Sequence, residues 1–308
     1  MNKEQYLKSS QLLLQLPVFF QPWWLDIVSD NWHITMAPGP AGTIAGVWPV
    51  ALESKLGLSI IRNPLLTPYL GPFFLQSLTT EQQARVFETL WQQFPRWDSF
   101  DMETTVSFDR ADLLQQKEIG VSEKITFEIA LAPGEDALWR AMSSNHRNLI
   151  RQAEASHTII ENPGQTTRLL QLHRETFSRK NKPYPFVPAM IDRLVQCSHE
   201  QDSGSLWHLQ DAQGRITAAI FTVWDRQKMY LLLSATDPEA AHPGAVRLLI
   251  WHAIKAARQK GLSVFDFEGS MDPGIAAFFR RFGGSQKTYL CASRNRSLLW
   301  KVKKKLLG

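Results

Sequence analysis

Two carboxylates stand two residues apart in Phe265-Asp266-Phe267-Glu268, and the same spacing recurs in Phe100-Asp101-Met102-Glu103. In an extended strand, residues i and i+2 project from one face, so each string sets an Asp beside a Glu and sends its Phe and Met side chains to the other face. Paired acids suit two kinds of work. They can take or give a proton, or they can close an internal salt-bridge network with Arg280, Arg281 or the Arg147 and Arg151 pair. Only the second string is followed by Gly269-Ser270 and preceded by a helix that opens at a glycine, Gly244. Asp266 and Glu268 therefore hold the stronger claim to chemistry, and Asp101 and Glu103 mark a strand end that both halves need for architecture.

Fewer residues elsewhere carry such a signal. Arg179, Lys180 and Lys182 lead into Pro183-Tyr184-Pro185, which makes either a basic, rigid loop able to hold an anion or a solvent-exposed turn. Cys197 and Cys291 have no companion cysteine, so neither a zinc site nor a disulfide framework is indicated.

Each carboxylate string reads as a strand that follows an amphipathic helix, and each lies downstream of a Gly-x-Ile strand start, at Gly42 and at Gly214. That fixed order suggests one ancestral α/β unit used twice, with ligands at the carboxyl ends of strands or between the halves. In the first half, strands are expected at 42–51 and 58–61. A proline-rich loop follows at 64–72, then a helix from a Thr79/Gln82 capping box to about residue 94. A strand at 124–131 and one helix over 134–156 lead into the second half. There, helices at 167–177 and 188–197 precede strands at 206–209, 216–224 and 229–235. A helix over 244–260 stops at Gly261, and a short helix at 273–282 and a strand at 287–292 close the series.

A chain of 308 residues has room for two domains, each with its own core. Six of its eleven tryptophans, Trp23, Trp24, Trp32, Trp48, Trp91 and Trp97, fall in the first third. They serve a packed core or line an aromatic groove. No run approaches the twenty or so apolar residues of a membrane helix, and no signal-peptide pattern precedes Trp23, which points to the cytoplasm. Part of the net charge of +5 sits in Lys301, Lys303, Lys304 and Lys305. That tail, flanked by Trp300 and Leu306-Leu307, would touch an anionic membrane or tRNA, or form a solvated terminal helix.

From residue 215 to 292 the order strand, strand, loop, helix, strand, short helix, strand resembles the core of a GNAT-type acyltransferase. Two such units in one chain resemble the FemABX-like branch of that superfamily. The residues that carry the likeness are Phe265 to Ser270, Phe278-Phe279-Arg280-Arg281-Phe282-Gly283, Ser144 to Ala153 and Thr176-Phe177-Ser178-Arg179-Lys180.

The resemblance implies an α/β chain of two tandem GNAT-like domains, mixed sheets flanked by helices. A degenerate domain would occupy 1–132, and a second, with a basic C-terminal helix, 133–308. It implies transfer of an acyl or aminoacyl group from acyl-CoA or aminoacyl-tRNA to an amine, such as that of a cell-envelope precursor, with no metal and no tightly bound cofactor. A donor pyrophosphate would rest at the N-terminus of the helix after the central strands, here His242, Gly244, Ala245 and Arg247. Ala241 and Val246 depart from that motif. Glu268, or Asp266, would take the proton that an attacking ammonium must lose. Backbone N–H groups of the splayed central strands would steady the carbonyl oxygen. Arg179, Lys180, Lys182, Tyr184, Ser270 and Arg280 would face the substrates. Where family members carry Phe-Lys this chain has Phe278-Phe279, and Arg280 stands one residue on, turned by about a hundred degrees. Two alternatives are an acetyl-CoA-dependent N-acetyltransferase and a non-catalytic binding protein on a decayed fold.

Overall fold

The computed structural model describes residues 3–269 and 271–296. The basic C-terminal helix and Ser270 lie outside the described residues. The chain forms two compact units, Met1–Lys124 with Thr288–Gly308, and Ile125–Lys287. In chain order the elements are α1 (Lys3–Lys8), α2 (Ser10–Leu13), α3 (Pro22–Val28), β1 (Trp32–Pro38), β2 (Ile44–Lys55), β3 (Leu58–Arg62), β4 (Phe73–Phe74), α4 (Thr80–Trp91), β5 (Ser99–Glu103), α5 (Ala111–Gln116) and β6 (Gly120–Ala130). There follow α6 (Glu135–Ala141), α7 (Ser144–Glu154), β7 (His157–Glu161), α8 (Thr166–Arg179), α9 (Pro188–Glu200), β8 (Gly204–Asp211), β9 (Ile216–Trp224), β10 (Lys228–Thr236), α10 (Ala245–Gln259), β11 (Val264–Asp266), α11 (Pro273–Arg280) and β12 (Ser285–Asn295).

In the first unit, β2 pairs antiparallel with β1 and β3, β3 runs parallel to β5, and β5 pairs antiparallel with Cys291–Asn295 of β12. The division after residue 132 expected from sequence thus differs from the compact units, because the last strand returns to complete the first sheet. Helix α4 begins with the expected box: Thr79 Oγ1 accepts from the Gln82 N–H, and Gln82 Oε1 accepts from the Thr79 N–H at 2.8 Å. Its Phe87 and Trp91 pack around the fully buried Trp48, with Phe94 and Phe100. Trp24, Trp32, Trp48 and Trp97 are buried, so these tryptophans serve the core.

In the second unit the strand order is β6-β11-β10-β9-β8-β7, antiparallel except for the β10/β11 pair. Residues of α7, α10 and α11 join one face of this sheet in a single apolar cluster that includes Trp207, Leu209, Ala218, Ile220, Met229, Leu231, Phe265 and Phe267. Helix α8 lies against β9 and β10, and α9 against β8. The alternating residues Leu206, Ala219 and Phe221 are also buried, so these helices cover the opposite face.

The single helix expected over 134–156 is two helices. Ser143 breaks it by capping α7, its Oγ accepting from the His146 N–H at 3.3 Å while its own N–H donates to the Arg281 carbonyl at 2.8 Å. Strands β1 and β7 have no counterpart among the elements expected from sequence.

The two carboxylate strands have matching surroundings: β5 lies between parallel β3 and antiparallel β12, and β11 between parallel β10 and antiparallel β6. Phe100, Met102, Phe265 and Phe267 are all buried, as the alternation requires. The acids diverge. Asp101 is exposed and Glu103 pairs with Lys124, whereas Asp266 is wholly buried.

Candidate active site

Strand β11 is three residues long, and its parallel pairing with β10 ends at Tyr230 opposite Asp266. Beyond that point Leu231 to Thr236 of β10 run on without it. An extra residue in β10, Leu232, stands between the pairs Leu231/Thr222 and Leu233/Phe221, which bends the strand at the same level. The carboxyl end of β11 is therefore where the two central strands part.

Alternation places Thr126 and Glu128 of β6, Lys228 and Tyr230 of β10, and Asp266 on one face. Thr126 Oγ1 donates to Asp266 Oδ1 at 2.6 Å, and the Glu268 N–H donates to the same oxygen at 2.8 Å. Lys228 Nζ is paired with Glu128. Burial, against the opposing Lys228 charge and the Thr126 hydrogen bond, pushes Asp266 up to about 6.

Glu268 corrects the sequence expectation, because it is not on the strand. Its φ is +57°, and Gly269 follows at +68°. A Cβ on Gly269 would lie 2.0 Å from the Ile125 carbonyl oxygen, so only glycine lets the chain pass this close to β6. A left-handed Glu costs about 1 kcal/mol or more, a strain found at functional sites. Asp266 Oδ1 holds the turn by capping the Glu268 N–H. Glu268 Oε1 is sealed from solvent with no hydrogen-bond partner. Burial, then the neighbouring Asp266 charge, raises the Glu268 carboxyl well above the usual carboxylate range. A carboxyl so held keeps its proton to higher pH than an ordinary glutamate and is the stronger base once it ionises.

At the head of α10 the surroundings are full. A Cβ on Gly244 would lie 2.0 Å from the Leu149 carbonyl oxygen of α7, so this glycine serves helix packing. Its N–H donates to His242 Nδ1 at 2.9 Å and the Ala245 N–H to the His242 carbonyl at 2.8 Å. Two of the backbone donors that a pyrophosphate would need there are thus engaged. Arg247 Nη1 donates to the Pro243 carbonyl, and its Nε reaches His146 Nδ1 at 3.4 Å.

The remaining expected residues are dispersed. Arg280 lies over the Phe127 ring at 5.5 Å. Arg179 turns back along α8 to the Glu175 carbonyl and to Thr176 Oγ1. Lys180 and Lys182 are exposed, and Tyr184 packs with His173, Phe177 and Phe186. Sequence reasoning missed Thr126, Glu128 and Lys228. The two-residue alternation of β6 and β10 was the signal available for them.

Residues 140–279 match the model of the acetyltransferase (GNAT) domain. That match covers a little under half of the chain. The fold of the chain is similar to that of FemX. FemX is 13% identical at a TM-score of 0.69, over 95% of this chain and 94% of that one. A C-terminal domain named as that of a lysylphosphatidylglycerol synthetase from Agrobacterium fabrum is 11% identical at 0.55, over 98% and 95%. A tandem GNAT protein from the clavulanic acid biosynthesis pathway is 9% identical at 0.52, over 87% and 83%. At such identities the likeness is one of fold. No curated protein matches this chain in sequence. The matched segment coincides with most of the second unit, which holds the Asp266/Glu268 pair.

Proposed function

We propose that the second unit transfers an aminoacyl group from an ester to the amine of an acceptor, with Glu268 as proton carrier and Asp266 as the residue that positions it. The observation that carries this reading is the enclosed Asp266/Glu268 pair at the end of β11, where β10 and β11 part. The amine attacks the ester carbonyl, a C–N bond forms and the ester C–O bond breaks. The ammonium proton passes to the Glu268 carboxylate and from there to the departing oxygen.

An ester of tRNA is favoured over a coenzyme A thioester because the Gly244 and Ala245 N–H groups are engaged and α7 fills the space beside Gly244. The fold shared with FemX and with the synthetase domain supports a donor of that kind and an envelope precursor or lipid-linked acceptor. No helix among the described residues is long and apolar enough to cross a membrane. A cytoplasmic protein, working where tRNA esters are made, fits this reading.

The test follows label from aminoacyl-tRNA into amine-bearing envelope precursors, with acetyl-CoA as a parallel donor. Wild-type turnover should rise with pH as Glu268 loses its proton, because the carboxylate is the base. Glu268→Gln should lower the rate about a hundredfold or more and flatten that rise. Full turnover by Glu268→Gln would remove the proton-carrier assignment, and transfer from acetyl-CoA alone would remove the ester donor.

A further inference from the structure

Strand β11 runs between β10 and β6, and a side-chain pair from those two neighbours bridges it. In the register, Lys228 of β10 stands beside Val264, with Ala130 of β6 on the far side, while Glu128 stands directly opposite Asp266. Lys228 Nζ pairs with Glu128, so its side chain crosses β11 on the face that carries Asp266. Opposed residues of an antiparallel pair that share a face hold their Cβ atoms about 4.5 to 5.5 Å apart. Three acids therefore stand in series. Glu268 lies beside Asp266, whose Oδ1 accepts its N–H at 2.8 Å, and Asp266 lies beside Glu128. Exposure rises outward along the series: Asp266 is 0% exposed, the Glu128 side chain 10% and its Lys228 partner 24%. The other polar groups on this face, Thr126 and Tyr230, bond to Asp266 and to Asp225.

Transfer to an amine leaves a proton over. An ammonium that becomes an amide loses two N–H protons, and the departing ester oxygen keeps one of them. The other must leave with each turnover. Glu268 Oε1 is sealed from solvent, and a bound amine and ester would cover the side of Glu268 on which they react. Asp266, pushed up to about 6, gives and takes a proton near neutral pH. Lys228 holds the Glu128 carboxylate at the outer end of the series.

We propose that Glu128, held in place by Lys228, is the outlet for that proton, which passes from Glu268 through Asp266 to Glu128 and then to water. At each step the O–H bond of one carboxyl breaks and that of the next forms, and Glu128 returns to the carboxylate when water takes the proton. The need for an outlet rests on the transfer reading, but proton passage is measured without turnover, so either can fail alone.

A path that carries protons out also carries them in. The full chain is given a light-triggered drop from about pH 8 to about pH 5, which spans the Asp266 titration. Time-resolved infrared spectroscopy follows the carboxyl C=O band of Asp266, identified by its loss in Asp266→Asn. The band should rise quickly in the wild type and about tenfold or more slowly in Glu128→Gln. Its final height should stay close to that of the wild type, since a block on passage alters the rate and not the end point. Lys228→Gln, which frees Glu128 from its place, should also slow the rise, and it decides the matter if Glu128→Gln fails to fold. An Asp266 band that rises at the wild-type rate in folded Glu128→Gln, or in Lys228→Gln where the first variant does not fold, overturns the proposal. Failure of every ester and amine pair to react would remove the transfer reading and leave these rates unchanged.

Discussion

At the scale of single residues, the strongest physical statement concerns Asp266. Its carboxyl titrates near 6 in the folded chain against an ordinary value of 3.8, with burial as the main cause. A raised pKa means that the folded state favours the proton. The stabilisation this group contributes is complete below about 4 and is lost as pH rises through about 6. Near neutral pH the charge is buried at a cost of up to about 3 kcal/mol relative to acid conditions. Lys228, Glu128, Thr126 and Glu268 face it, and only Lys228 and the hydrogen bonds from Thr126 and Glu268 favour the charge. Asp266→Asn keeps an oxygen for the Thr126 hydroxyl and the Glu268 N–H and removes the titration. Urea midpoints measured between pH 4 and 8 should therefore fall with rising pH in the wild type and fall less in Asp266→Asn, with the variant the more stable at pH 8. A wild-type midpoint that rises steadily across that window would contradict the buried, proton-favouring environment. The sequence set Asp266 and Glu268 two residues apart and read both as strand residues, but it could not show that Glu268 leaves the strand. That depends on Gly269 meeting the Ile125 carbonyl, a contact between residues far apart in the chain.

At the scale of elements, α10 separates what was legible from what was not. Its apolar periodicity, its glycine start and its Gly261 stop read directly from sequence, and the helix runs from Ala245 to Gln259. The purpose of Gly244 did not. A glycine at a helix start serves equally to admit an anion or another helix, and only the position of α7 distinguishes them. The contact predicts a clear outcome. Gly244→Ala would force its Cβ into the Leu149 carbonyl, 2.0 Å away, with Ala153 Cβ at 3.0 Å. The Leu149 backbone and the Ala153 Cβ, which has no rotamer to change, leave no flexible group to yield, so the variant should lose about 2 to 3 kcal/mol, read as a lower urea midpoint. If this glycine were needed only for ligand approach, the midpoint would not move. The break between α6 and α7 was hidden for a related reason. Ser143 is an acceptable residue inside a helix pattern, and its role as a cap becomes visible only when Arg281 accepts its N–H.

At the scale of the whole molecule, duplication was legible because the string Phe-Asp-x-Glu constrains both faces of a strand at once. The apolar half of the pattern is kept in both units: each carboxylate strand buries its Phe and its Phe or Met, and each sits between one parallel and one antiparallel neighbour. The polar half is not. In the first unit Asp101 faces solvent and Glu103 is held by Lys124, while in the second Asp266 is enclosed and Glu268 turns away through a left-handed bend. Sequence alone does not report this, since an identical acid can face water or a closed interior according to what the other elements cover. The two copies should therefore answer the same substitution differently. Asp101→Asn removes an exposed charge and should change stability by less than about 0.5 kcal/mol at both pH 5 and pH 8. Asp266→Asn should shift stability in a pH-dependent way, and transfer activity should follow the second substitution only. A pH-dependent change of similar size at Asp101 would mean that the first copy also encloses its acid, and the division of labour between a structural and a chemical carboxylate strand would fall.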